Sequence, residues 1–174
     1  NDTASQTAGE RFGSIRVILQ KPMKLALNGA TTMRASLETD LRAAKAAGFD
    51  YIEIWAAKIK NKSIEELKGL FAESGVPPLS TNSIEHITFR DMGAYEGIKR
   101  QCREFSEIAA AIGCPYVVVV PGRLPPGKVD VVAESVRVLT ELCDIAAEHG
   151  VALAFEFLGQ ADCSVQTLGL ADEI

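Results

Sequence analysis

A chain of 174 residues, 47% of them hydrophobic and 24% charged, is long enough for one domain with its own core. No run of about 18 apolar residues occurs, so no membrane-spanning segment is expected. A net charge of -5, with 18 Lys and Arg scattered among 23 acids, lacks the basic stripe that duplex binding requires, so no nucleic-acid partner is expected and a neutral or polar small molecule is the easier ligand.

The first 22 residues differ from the rest of the chain. Residues 1–10 are small and polar, and Val17-Ile18-Leu19 is too short for the apolar part of a secretory signal. Met23 is the expected functional start. Residues 1–22 then form an N-terminal extension, disordered or non-native, ahead of a domain over 23–174.

From Lys24 onward one unit recurs: a short apolar run, a loop, a helical stretch, a glycine, then the next apolar run. The pattern predicts strands over 24–28, 51–55, 78–82, 116–120 and 151–157. It predicts helices over 37–47, 64–74, 95–112 and 129–149, with a fifth beginning near Thr167. Gly48, Gly75, Gly113 and Gly150 each follow a helix, where a left-handed residue ends the last turn. Ser63 with Glu66 three residues on reads as a capping box, and Asp130 sets an acid at the start of the fourth helix.

Strand, helix and strand in alternation imply parallel pairing with crossover connections. The turn after the first strand, Asn28-Gly29-Ala30-Thr31-Thr32, is not a G-x-G-x-x-G dinucleotide turn, and no phosphate-binding P-loop occurs. Both facts favour a (β/α)8 TIM barrel over an open doubly wound sheet, here as its first five β/α units.

Side chains alternate across a strand. In the fifth strand Leu153, Phe155 and Phe157 share an apolar face suited to helices, while Ala152, Ala154 and Glu156 share the other. In the second, Ile52 and Ile54 face helices, and Tyr51, Glu53 and Trp55 face inward. Ser80 and Asn82 share a face in the third strand, as Ala26 and Asn28 do in the first. Asn28, Glu53, Asn82 and Glu156 are thus expected to converge on one polar cavity at the barrel mouth, where barrel chemistry sits. The competing reading makes Glu53 a structural acid held by neighbours, and Asn28 and Asn82 turn caps. His149, at a helix C-terminus, reads as structural.

Cys102, Cys114, Cys143 and Cys163 form no C-x-x-C pair and no disulfide framework, so they read as reduced thiols of a cytoplasmic protein.

The stretches Leu25-Ala26-Leu27-Asn28-Gly29-Ala30-Thr31-Thr32, Phe49-Asp50-Tyr51-Ile52-Glu53-Ile54 and Tyr116-Val117-Val118-Val119-Val120-Pro121 resemble the xylose-isomerase-like sugar phosphate isomerase/epimerase barrels. So does Leu153-Ala154-Phe155-Glu156-Phe157-Leu158-Gly159 with Cys163-Ser164-Val165-Gln166-Thr167, the most specific run. The resemblance runs from Met23 to Ile174 and is nearest to the inosose isomerases of inositol catabolism. It departs at Gly29, where those enzymes can carry an acid.

The resemblance implies an isomerase or epimerase of a sugar or polyol ketone, working by α-proton abstraction and an enediolate. It implies a divalent metal ion (Zn, Mn, Mg or Co), with Glu156 as a metal ligand and catalytic group, and three further ligands on strands six to eight. Asn28, Glu53, Trp55, Asn82 and His86 become substrate-binding candidates, with His86 in the loop after the third strand. Trp55 packs on the sugar's apolar face or simply fills the barrel. A lyase of the same fold, resembling dehydroshikimate dehydratase, and a non-catalytic binding module are the alternatives, and homo-oligomerisation stays open. The 174-residue chain alone is expected to lack activity, hold metal poorly and self-associate through its unpaired strand edges.

Overall fold

The computed structural model describes residues 23–87, 92–121 and 130–156. They form a five-stranded parallel sheet in the order β1-β2-β3-β4-β5, so every strand pairs with its neighbour in sequence. The strands are β1 (Ala26–Asn28), β2 (Tyr51–Trp55), β3 (Pro78–Ile87), β4 (Tyr116–Pro121) and β5 (Ala152–Phe155). The crossovers are the helices α1 (Leu37–Ala47), α2 (Ile64–Ser74), α3 (Met92–Ile112) and α4 (Val131–Ala147), with a 3-10 turn over Ala56–Lys58 after β2. Unbroken sequential order is the arrangement of a barrel wall, not of a doubly wound sheet, whose order reverses at a switch point.

Each helix presents its apolar stripe to the sheet. Leu37, Leu41 and Ala44 of α1, Leu67 and Phe71 of α2, Ile98, Cys102 and Ala109 of α3, and Val138 and Leu142 of α4 are buried against the outward residues of the strands. Ile52, Ile54, Val117 and Val119 are fully buried on that side, as the period-two pattern predicts. Tyr116, on the opposite face, is 43% exposed.

The caps at Ser63 and Asp130 follow the sequence signals, and Ser36 adds one not singled out there. Ser36 and Ser63 accept from Thr39 N and Glu66 N, and Glu66 reaches back to Ser63 N at 2.6 Å to close the capping box. Asp130 is a true N-cap, accepting from Ala133 N at 3.0 Å. Gly48 and Gly75 end α1 and α2 at φ 75° and 68°. Gly150 has φ 72° but lies beyond the last turn, since α4 ends at Ala147.

Several bounds differ from expectation: β4 runs one residue on to Pro121, β5 covers Ala152–Phe155 and α4 covers Val131–Ala147. β1 is short, because residues 24 and 25 are held instead by Asp50, which accepts from Lys24 Nζ at 2.7 Å and Leu25 N at 2.9 Å. β3 continues to Ile87, pairing with Pro121 across irregularities between Asn82 and Ile84 and between Ile84 and Ile87. α3 starts three residues earlier than expected, at Met92. Residues 1–22, the run from Phe157 to Thr167 and the expected fifth helix lie outside the described residues.

Candidate functional site

Parallel register places paired residues on the same face, which lets the inner face be read layer by layer. Asn28 pairs with Glu53, Glu53 with Ser80, Ser80 with Tyr116 and Tyr116 with Ala152. The next layer is Trp55, Asn82, Val118 and Ala154. Glu156 comes two residues beyond Ala154, and its backbone N–H extends the ladder to Val119 O at 3.0 Å. Leu153 and Phe155 pack on the core, so alternation sets Glu156 on the inner side, at the C-terminal end of β5.

Glu53 is the centre of the polar layer. Its Oε1 accepts from Asn28 Nδ2 at 2.6 Å and Asn82 Nδ2 at 3.4 Å, and its Oε2 accepts from Ser80 Oγ at 3.0 Å. Three of the four converging candidates, Asn28, Glu53 and Asn82, therefore do meet. Glu156 lies apart from them, an exposed residue one layer above Asn82 and two strands further along the sheet, roughly 10 Å away at the usual strand spacing.

Asn28 does two jobs. While Nδ2 reaches Glu53, its Oδ1 accepts from Ala30 N at 2.7 Å, the Asx turn that carries the chain out of β1. Gly29 then packs directly on the end of β2, donating to Glu53 O at 2.9 Å. A Cβ at Gly29 would stand 3.0 Å from Glu53 O and 3.1 Å from Trp55 N.

Trp55 ends β2, in register with Asn82, and lines a cleft of about 380 Å3 with Met33, Ala57, Asn61 and Lys62, between the turns that come after β1 and β2. His86 corrects an expectation. It lies within β3, not in a loop after it, because the ladder to β4 continues past the irregularities at Asn82 and Ile84.

Lys58 is a residue that sequence reasoning did not single out. Its ammonium is bonded to Asp40 and donates to Thr32 O at 2.9 Å and Thr32 Oγ1 at 3.1 Å. The side chains of Lys58 and Asp40 are 5% and 2% exposed. The available signal is Asp40 itself, an acid inside the Leu37, Leu41 and Ala44 stripe, which calls for a buried cation.

Cys102, Cys114 and Cys143 are free thiols, and burial pushes Cys102 and Cys114 up to about 11, which removes them as nucleophiles. Among the described residues no group of three or more metal-ligating side chains occurs, and no helix is long and apolar enough to cross a membrane.

A five-strand sequential α/β sheet with polar side chains on its inner face is the wall of a TIM barrel. The xylose isomerase-like TIM barrel family profile matches residues 41–174, and the chain belongs to that family. It is 38% identical over 160 residues to an inosose isomerase of Halalkalibacterium halodurans, covering 87% of this chain and 57% of that protein. The match to the Bacillus subtilis inosose isomerase is 36% over 163 residues, covering 87% and 58%. Among solved structures, the IolI protein with a binding zinc atom superposes with a TM-score of 0.70 at 34% identity, over 79% of this chain and 52% of that one. The Escherichia coli 3-keto-D-glucoside 4-epimerase YcjR shares the fold, with a TM-score of 0.63 at 23% identity over 80% and 57%. The chain thus spans a little over half the length of the curated relatives it matches.

Proposed function

We propose that the full-length protein is a metal-dependent isomerase or epimerase that moves a proton next to the ketone of a sugar or inosose, through an enediolate. The observation that carries this reading is Glu156, a carboxylate closing the inner face of β5 above the layer built on Asn28, Glu53, Ser80 and Asn82. The inosose isomerase names of the relatives support the reaction class, and the zinc atom of the IolI structure supports a cation.

Glu156 fits a divalent ion such as zinc, manganese, magnesium or cobalt. It is an exposed oxygen ligand whose carboxylate has no partner among the described residues. It supplies one ligand, and the described residues do not complete the set. When bound, such an ion supplies Lewis-acid polarisation of a carbonyl. The remaining work falls to the chain. Glu53 and Asn82 hold substrate hydroxyls, Asn28 holds Glu53, and Trp55 packs its ring on the apolar face of the sugar. His86 remains a candidate for a contact from β3. Free thiols at Cys102, Cys114 and Cys143 suit a protein of the reducing cytoplasm.

Elemental analysis of the purified full-length protein and its Glu156→Gln variant tests the metal assignment. The variant is expected to lose most of its metal, and a full equivalent retained contradicts it. Product analysis on an inosose, a ketose and 3-dehydroshikimate separates isomerase from lyase.

A further inference from the structure

We infer that Lys58 is a positioning residue for the substrate: its buried ammonium closes a ring of contacts that fixes Trp55 and sets the width of the cleft Trp55 shares with Met33. This rests on the reading that Trp55 packs on the sugar, and it deepens that reading by naming what holds the indole in place.

Lys58 does not itself meet a ligand. It lines the cleft beside Trp55, but its side chain is 5% exposed, and its ammonium protons go to Asp40, Thr32 O and Thr32 Oγ1. Its influence on the site passes through the backbone that it ties together. Lys58 ends the 3-10 turn Ala56–Lys58, which starts directly after Trp55. Its partner Thr32 belongs to the loop after β1, and that loop returns to Trp55 by a second route. Thr32 Oγ1 donates to Gly29 O at 3.2 Å. Gly29 donates to Glu53 O at 2.9 Å and packs so closely that a Cβ there would stand 3.1 Å from Trp55 N. The ring therefore runs from Trp55 through Lys58, Thr32 and Gly29 back to Trp55, and Asp40 anchors it to α1.

Packing alone does not call for a charge here. A buried ion pair adds little net stability and is often replaceable by apolar groups. What an apolar pair does not reproduce is direction. Three contacts from one ammonium fix the turn after β2 relative to the loop after β1. Met33, next to Thr32, is 64% exposed and lines the same cleft as Trp55. The span from Thr32 to Lys58 thus sets the opening that a sugar lying on Trp55 meets.

The test uses the full-length protein labelled with fluorotryptophan, with the Trp55 resonance assigned by its loss in Trp55→Phe. One variant combines Lys58→Met with Asp40→Leu and removes both charges together. The other, Thr32→Val, cuts the same ring without touching the charged pair, and it decides the matter should the first fail to fold. Both are expected to shift or broaden the Trp55 fluorine resonance in the absence of ligand. Both should raise KM for an inosose, on the order of 10-fold for the pair variant, and leave kcat unchanged, as when binding is weakened by a residue that does not touch the ligand. Adding Trp55→Ala to the pair variant should cost little more than Trp55→Ala alone, because the two act through one contact. A merely structural Lys58 lowers the unfolding temperature and leaves the resonance and KM of the folded variants unchanged, which overturns the positioning role. Additive losses with Trp55→Ala overturn the route through Trp55. An inosose that the wild-type protein does not turn over overturns the isomerase reading alone, and the fluorine spectra still decide whether Lys58 holds Trp55.

Discussion

At Gly29 a single hydrogen atom decides how closely β1 approaches β2. The nearest atoms to a Cβ there are backbone, Glu53 O and Trp55 N, which cannot swing aside as a side chain can. Gly29→Ala should therefore cost about 1–3 kcal/mol, the usual range for overpacking, read as a fall in unfolding free energy of the full-length protein. Unchanged stability would show that the ends of β1 and β2 are freer than their 2.9 Å hydrogen bond implies. Strand parity makes Glu53 visible as an inward acid, and it places Ser80 on the face of Asn82. It does not reveal that Ser80 and both asparagines spend their donors on Glu53, because period-two alternation says which side a residue faces and nothing about its partner. Asn28 serves both readings offered for it, as a turn cap and as a member of the polar layer.

The loop after β1 and the turn after β2 are joined by charge. Lys58 reaches from the 3-10 turn to Asp40 on α1 and Thr32 in the loop, inside the wall. Lys58→Met leaves Asp40 buried and unpaired and should cost about 3–5 kcal/mol. Adding Asp40→Leu should recover much of that loss, since a buried pair replaced by apolar groups is often near neutral. A double variant no more stable than Lys58→Met contradicts the pairing. A second tie runs from Glu38 of α1 to Lys62, just ahead of α2. The Lys62 hydrogen bond holds Glu38 at about 2, well below its ordinary 4.5. A lowered folded value contributes stability above pH 4.5 that is lost as pH falls toward 2. The gap in unfolding temperature between wild type and Glu38→Gln should be constant above that range and close by about pH 2; a gap that stays open there contradicts the tie. Elements with caps are the most legible: α1 and α2 run over the expected residues, α2 behind the Ser63 capping box and each ended by a glycine read from the sequence, Gly48 and Gly75. β3 reads short in the sequence because polar residues dominate past Leu79, although the backbone ladder to β4 continues through the irregularities there.

Over the whole molecule, sequential strand order and alternation separate two faces. The outer one is sealed by four helices, while inner-face Tyr116 and Ala152 remain exposed. That separation is legible because glycine-ended helices recur between apolar runs, and it brings Glu156 and the Glu53 layer to one side of the sheet. Proton removal next to a ketone is the chemistry proposed above for this side. The most direct measurement is turnover by the full-length protein of an inosose carrying deuterium on the carbon beside its carbonyl, with the label located in the product by NMR. The expected product has lost deuterium from that carbon, and the conversion is expected to disappear in Glu156→Gln. A product that keeps its label there, or no conversion by the wild-type protein, would contradict the assignment.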